Sequence, residues 1–493
     1  MDNLMLRRRI LLGLLSEEYI IFADPVVEQI CATNWGDGIG LKPSQARAVT
    51  SNMANIFKGN TDIVSFDELQ YFTGITTELP TSSTTAGRFR GCTSLVSIHF
   101  FPRLKKSGYD TFYGCSSLER IYFSNTINVS GMYNLFAGCS SLAELHFDTW
   151  DHFWGSTWGS YVASNRYHYP FSVSGSGSLY INNEKILNVT FPSNLTSVKA
   201  GTFYNNTAIT SVTLHNNVTS IGEYAFTGCT ALSNINITTI PNLTTIGQEA
   251  FSSCTSLTGN LIIPSNITSI GQGAFRSCSN IDCIVIPSSV STIDKRAVAY
   301  QKRGGLVVIR SATVSVLSGT YIYGNTIIEG NVSFTGSSLY NLVSATYVKW
   351  VRIYGNISSN SSGNTRAIVS HSVTTANSAV IEFVELLGKF TNSYTANKLF
   401  YGNNSYDIGS NTIVHLGYDT VTNNELPCVP AQAGATYSRV KKIYVGTGAS
   451  QASDQAILDM YLADSSWSSY SSKLDLWYNY SGEYKTPPTI PTI

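Results

Sequence analysis

The sequence predicts a β-rich repeat solenoid with helical N- and C-terminal caps and a second β-rich region. Three observations carry that prediction. A Phe-x-x-Cys unit returns at Cys92, Cys115, Cys139, Cys229, Cys254 and Cys278, with neighbouring spacings of 23, 24, 25 and 24 residues. A fixed period of this length is the signature of stacked repeats. Each unit also carries a strand-like alternation, such as Val212 and Leu214 or Ile235 and Ile237, followed by a second apolar set such as Val218, Ile221, Ala225 and Phe226. Neither piece can bury its apolar side alone. Finally, the texture turns helical near both ends, which suits the caps a solenoid needs.

Composition narrows the function. The 493 residues carry 31 Lys plus Arg and 31 Asp plus Glu, and only 13% are charged. With no basic excess to neutralise phosphates, nucleic acid is not an expected partner. No apolar run of about 20 residues exists, so membrane insertion is not expected. The polarity comes from Ser, Thr, Asn, Gly and Tyr, as on many extracellular and virion proteins.

Residues 1–80 form the first region. Arg7, Arg8 and Arg9 precede Ile10 to Leu15, but that run is too short for a secretory h-region and Glu17 and Glu18 follow at once. An amphipathic helix that docks on something is the expectation. Residues 16–80 read as helical: Asp24-Pro25 suits a helix start, and Ser65-Phe66-Asp67-Glu68 reads as a capping box before "LQYF". "NWGDGIGLKPSQA" (34–46) contains the Asp-Gly of a calcium loop. Taking Asp37-Gly38 as loop positions five and six places Thr33, Trp35 and Ser44 where the strong ligands belong, so a tight turn is expected instead.

Residues 81–300 hold the repeats. Asn206 fills the cysteine column 23 residues before Cys229. Column-mates lie about one strand spacing apart, about 4.8 Å, which alone does not forbid disulfides. However, six Cys and one Asn offer no pairing scheme, no zinc spacing appears, and a nucleophile would not be copied into each repeat. The expected role is a buried thiol at the turn after Phe, donating weakly to a backbone carbonyl, with Asn206 hydrogen-bonding at the same corner. His99 and His146 occupy one repeat position, shared by Tyr122 and Thr213, and are expected on one exposed strand face.

An insertion at about 147–187 interrupts the period. It holds Trp150, Trp154, Trp158, Tyr161, Tyr167 and Tyr169, together with Phe153, Phe171, Asp151, His152, Asn165 and Arg166. These aromatics suit stacking on sugar faces, and equally the private core of a long loop or a contact between subunits. Residues 301–425 alternate short β runs with Asn, Ser and Gly turns. They fit either a solenoid continuation or a sandwich-like domain. Residues 426–493 read as a strand ("KKIYVGTGA"), a helix with Ile457, Leu458, Tyr461 and Leu462 on one face, and a second helix, capped by Asp464, through Trp467, Tyr470, Leu474 and Trp477. The tail "TPPTIPTI" is expected to be extended, either mobile or docked on a neighbour.

The pattern "IPSNITSIGQGAFRSCSNI" (263–281) resembles the BspA-type leucine-rich repeat, and the resemblance covers residues 86–300. It fades at "IPSSVSTIDKRAVAYQ", where Ala297-Val298 replaces Ala-Phe and the Cys is gone. Members of that family are surface or secreted proteins of bacteria, notably gut anaerobes, and of some protists; several are adhesins. The "LRRR" start, "FADPVVEQICATNWGDG" and the "LDLWYNY" ending further resemble repeat proteins carried by phages and prophages of gut Bacteroides-type bacteria. The resemblance implies a non-enzymatic phage fibre or decoration that adheres to a host-surface glycan or protein. Arg7, Arg8 and Arg9 would attach it to other virion proteins, and a homotrimer is the expected state. The alternative is a secreted or surface-anchored bacterial adhesin. No HExxH, G-x-S-x-G or Walker motif appears, and neither catalytic residues, metal nor cofactor are expected.

Overall fold

The computed structural model describes residues 17–50, 53, 56–75, 87–101, 110–127, 135–156, 171, 174–293, 296–298, 305–310, 313–316, 322, 324–334, 340–344, 348–359, 366–370, 381–388, 390–391, 397–401, 413–417, 441–463 and 468–491. The chain divides into two compact units. One comprises residues 1–189, 199–212 and 223–232; the other comprises 190–198, 213–222 and 233–493.

The first unit is built on a six-stranded sheet of β1 (Ser65–Phe66), β2 (Ser97–His99), β3 (Arg120–Phe123), β4 (Glu144–Phe147), β5 (Ser178–Ile181) and β6 (Glu184–Lys185). Strands β1 to β5 are parallel and in register, so Phe66, Ile98, Ile121, Leu145 and Leu179 form one buried row. Each strand supplies alternate residues to that core and sends the others to the opposite face. β6 turns back antiparallel on β5 and ends the ladder.

Behind the sheet, the Phe of each repeat stacks on the next. Ring centroids lie 5.6 Å apart for Phe57–Phe89, 6.0 Å for Phe89–Phe112, 6.3 Å for Phe112–Phe136 and 5.3 Å for Phe203–Phe226. The thiols then do what the column suggests. Cys92 Sγ donates to the Phe57 carbonyl at 3.0 Å, Cys115 to Phe89 at 2.9 Å, Cys139 to Phe112 at 3.1 Å and Cys229 to Phe203 at 3.0 Å. Each bond satisfies a carbonyl of the preceding turn. Asn206 works differently: its Oδ1 accepts from the Ala208 and Ile209 N–H groups, closing its own turn.

The repeat starts earlier than the sequence reading placed it. "FKGNTDIVSF" (57–66) shares Phe, Gly, Thr, Val and Ser with "FRGCTSLVSI" (89–98), and Asn60 stands in the cysteine column. Asn60 Oδ1 accepts from Asp62 and Ile63 N–H, as Asn206 does in its turn. This corrects the capping box. Ser65 and Phe66 are a strand, and Asp67–Tyr71 is a 3₁₀ helix whose cap residue, Phe66, makes no side-chain bond. Among the described residues of this region, only α1 (Pro25–Asn34) and α2 (Pro43–Ala48) are α-helical. The expected start of α1 is present: Asp24 accepts from Val26 and Val27 N–H, and its second oxygen accepts from Val64 and Ser65 N–H. One buried carboxylate thus caps a helix and anchors the first strand. Asp37 accepts from Ile39 and Gly40 N–H in a turn with Gly38 at φ +84°, as the tight-turn reading expects.

The second unit holds a four-stranded parallel ladder ending at Ser269–Ile270 and a nine-stranded one running from Gly259–Ile262 to Leu474–Leu476. Five- and three-stranded parallel ladders complete the turns between residues 292 and 401. Cys278 Sγ donates to the Phe251 carbonyl at 3.1 Å, and Phe251 stacks on Phe275 at 5.4 Å. The described strands between residues 306 and 416 pair in parallel.

At the C-terminus, α3 (Trp150–Gly155) of the first unit is followed along the chain by α4 (Gln451–Ala463), which buries Ile457 and Tyr461. The expected second helix is not formed. Ser468–Lys473 is 3₁₀, Leu474–Leu476 pairs parallel with Lys442–Val445, and Trp477–Asn479 is 3₁₀ again. The serine-dense stretch is a weak helix former, and Leu-Asp-Leu has the period of a strand. Asp464 and Trp467 lie outside the described residues. The extended tail docks on its own unit: Ile490 packs against the cluster of Cys283, Val285, Val308 and Ile327.

Candidate recognition surface

The outward face of β2 to β5 carries two aligned rows. Ser97, Arg120, Glu144 and Ser178 form one; His99, Tyr122, His146 and Tyr180 form the other. The second row is a continuous stack. Ring centroids are 5.4 Å apart for His99–Tyr122, 4.5 Å for Tyr122–His146 and 4.3 Å for His146–Tyr180. In-register parallel strands impose this spacing, because it is close to the distance between their backbones.

Polar groups pin the rings by their edges. His146 Nε2 lies 2.9 Å from Glu144 Oε2, and the Tyr180 hydroxyl donates to Glu144 Oε1 at 3.3 Å. His99 Nε2 is 2.9 Å from Ser124 Oγ, and Ser97 Oγ donates to Asp67 Oδ2 at 3.1 Å. Burial lowers the His99 pKa, against the pull of Asp148 and Asp67. Burial first, and the Glu144 carboxylate second, raises the Tyr180 phenol; burial also raises Tyr122. Both phenols therefore stay protonated and able to donate at neutral pH. His146 Nδ1 is buried and has no partner among the described residues.

Because the rings cover one another's faces, the surface offers edges: hydroxyls, imidazole nitrogens, a carboxylate and the Arg120 guanidinium. Such a comb reads a polar ligand by hydrogen bonds. Sequence reasoning placed His99, His146 and Tyr122 on one exposed strand face. The structure brings them together and adds Tyr180, though His146 is only 8% exposed. Tyr180 was missed because the insertion hid the period at that rung.

The other predicted site residues fall elsewhere. Trp150 and Trp154 sit on α3, stacked at 5.3 Å and half-buried. Phe153 between them is core, packed on Phe147 and Phe203 at 5.5 Å each. The Lys199 ammonium donates to the Trp154 and Ser156 carbonyls at 2.8 and 3.0 Å. Trp158, Tyr161, Tyr167 and Tyr169, and Arg7, Arg8 and Arg9, lie outside the described residues. Burial pushes Cys139 and Cys278 up to about 12 and raises Cys229 further, which makes these three thiols poor nucleophiles, while the bond from Cys115 lowers Cys92. Among the described residues, no group of three or more His, Cys, Asp and Glu could hold a metal, and no helix is long and apolar enough to cross a membrane.

A second constellation, unforeseen in the sequence, lies in the other unit. Arg352, Glu385 and His415 occupy adjacent rungs of the nine-stranded sheet and are 2%, 5% and 2% exposed. Arg352 Nη1 donates to Glu385 Oε2 at 2.5 Å, and Glu385 Oε1 lies 2.8 Å from His415 Nδ1. Burial works to raise the Glu385 carboxyl, but the bonds and charges of His415 and Arg352 outweigh it and hold its pKa below the usual range. Aromatic residues of the C-terminal segment cover this row. Trp477 stacks on His415 at 3.7 Å and Tyr484 on Phe383 at 4.9 Å.

Comparison with known proteins bears on the repeats. Residues 63–153 and 177–303 match the family model of the BspA type leucine rich repeat region, in 6 copies. The matched stretches begin one unit earlier than the sequence pattern alone indicated. No curated protein matches the chain. Among solved structures, it is similar to a leucine rich cell surface protein from Faecalibacterium prausnitzii A2-165, at 19% identity and a TM-score of 0.25, over 42% of this chain and 76% of that one. It is also similar to a leucine-rich repeat protein from Bacteroides ovatus, at 15% identity and a TM-score of 0.29, over 66% of this chain and 82% of that one.

Proposed function

We propose that this is a non-enzymatic recognition protein that works at a surface and binds a hydroxyl-rich ligand, a glycan, through the His99–Tyr122–His146–Tyr180 ribbon. The observation that carries the reading is the register of that ribbon. Four ring side chains and their carboxylate partner are held rigid on one sheet face, and rigid polar groups lose little entropy on binding. The BspA-type repeat region supports a surface setting, since proteins with such repeats include adhesins. The ladders of each unit are read as sides of stacked coils, the solenoid expected from the period, with helical elements as caps. The finer assignment, a phage fibre or decoration formed as a homotrimer and attached through Arg7, Arg8 and Arg9, rests on the resemblance of the chain ends. A bacterial surface adhesin is the second reading, favoured by the repeat family itself. The Trp150–Trp154 pair is proposed as a secondary contact.

Tyr122→Phe and Arg120→Gln preserve the stack and alter only the polar edge of this face. Each is expected to weaken binding of the full chain to washed gut-bacterial cells by roughly three- to tenfold, the worth of one hydrogen bond, with unchanged melting temperature. Unaltered binding by both variants would remove the ribbon from the proposal. Peptide mass spectrometry of purified phage particles and of washed cell envelopes separates the two settings by where the peptides are found.

A further inference from the structure

We infer that the C-terminal segment and the nine-stranded sheet form a second binding site, a cleft for one neutral pyranose. A cleft of about 370 Å³ is lined by Lys349, Trp350, Arg352, Glu483, Tyr484 and Pro488, all of one unit. That volume lies within the usual range of small-ligand sites. Its walls differ from the ribbon in kind. Tyr484 lays one ring face on Phe383, and Trp350 is half-buried at the edge of the apolar cluster. Together they offer the cleft aromatic surface on which the C–H face of a sugar ring can lie.

The polar groups match hydroxyls rather than a net charge. Lys349 and Glu483 bring one cation and one anion, and Lys349 already pairs with Glu382 at 3.5 Å. A carboxylated or sulfated ligand would meet Glu483, whereas a sugar hydroxyl donates to a carboxylate and accepts from an ammonium. The buried Arg352 supplies the remaining observation. Its Nη1 donates to Glu385, and its Nη2 donates to the Tyr484 carbonyl at 2.5 Å. Its Nε is buried and has no acceptor among the described residues. Held from both sides through Nη1 and Nη2, Arg352 forms a fixed floor to the cleft. The Arg352–Tyr484 bond also makes the segment at 483–488 a wall of the cleft as well as a cover for the ionic row.

Isothermal titration of the full chain with D-galactose, D-mannose and N-acetyl-D-glucosamine, with D-glucuronate and sulfate alongside, tests this site. Saturable heat from at least one neutral sugar is expected, with quenching or enhancement of tryptophan fluorescence over the same range. Lys349→Ala and Glu483→Gln alter exposed side chains, so folding survives, and each is expected to weaken that binding about fivefold or more. Sugar binding lost with Lys349→Ala and Glu483→Gln reports this cleft, and cell binding lost with Tyr122→Phe reports the ribbon, so failure of this site and failure of the ribbon are told apart. No saturable binding of the three neutral sugars, binding of glucuronate or sulfate in their place, or binding that survives both substitutions would each overturn the inference.

Discussion

The cysteine column shows how much one atom can decide. Each column thiol of the first unit reaches the Phe carbonyl of the preceding turn at 2.9–3.1 Å. Cys115→Ala removes the thiol bond to the Phe89 carbonyl, which keeps only the Cys92 N–H, and opens a small void. It is expected to cost about 1–3 kcal/mol in chemical denaturation, with no change in ligand binding. The eight described cysteines are all buried thiols, so a maleimide should label none of them in the native chain and all of them in denaturant. The residue before the column carries a second constraint. Gly138 has φ +81°, and a Cβ there would lie 3.0 Å from the Gly114 Cα. Gly138→Ala should therefore destabilise by about 1–3 kcal/mol, measurable by thermal denaturation. The column was legible because its period repeats a steric and hydrogen-bonding demand. The Asn60 copy was harder to read, because it stands 32 residues before Cys92 and lacks the sulfur.

Elements were legible where local chemistry and tertiary demand agree. Asp24-Pro25 starts a helix whatever surrounds it. Ser65-Phe66 and Leu474–Leu476 lie in stretches read as helical, yet a parallel ladder beside each offers an unpaired strand edge, and strand pairing prevails there. The ionic row of Arg352, Glu385 and His415 gave no such signal. Its rungs are 33 and 30 residues apart, so no period marks it. Glu385→Gln leaves Arg352 buried without its counter-charge and should cost about 3–5 kcal/mol, whereas a joint apolar replacement of both should cost far less. The row also sets a pH dependence. The folded-state pKa of Glu385 is depressed, so its contribution is fully present above its ordinary value of 4.5 and is lost as pH falls through the lower folded value. Denaturation midpoints measured downward from pH 6 should fall below pH 4.5 more steeply in the wild type than in Glu385→Gln.

At the scale of the molecule, the repeats divide their labour. One side of each turn, built from Phe stacks and thiol bonds, holds the coils together. The strand residues that alternate with the core row carry the ribbon of His99, Tyr122, His146 and Tyr180, of which His146 is 8% exposed. The repeat reading anticipated that face from two histidines at one position, but the sequence directed attention to the Trp-rich insertion, where Phe153 turns out to be core. Composition shows where aromatics are abundant; only register shows which of them share a surface. Hydroxyl-radical footprinting of the full chain, free and bound to washed gut-bacterial cells, tests this account most directly. Reduced oxidation at Tyr122, Tyr180 and His99 on binding is the result the account predicts. Unchanged oxidation at those residues, with protection confined to Trp150 and Trp154 or to the rest of the chain, would contradict it.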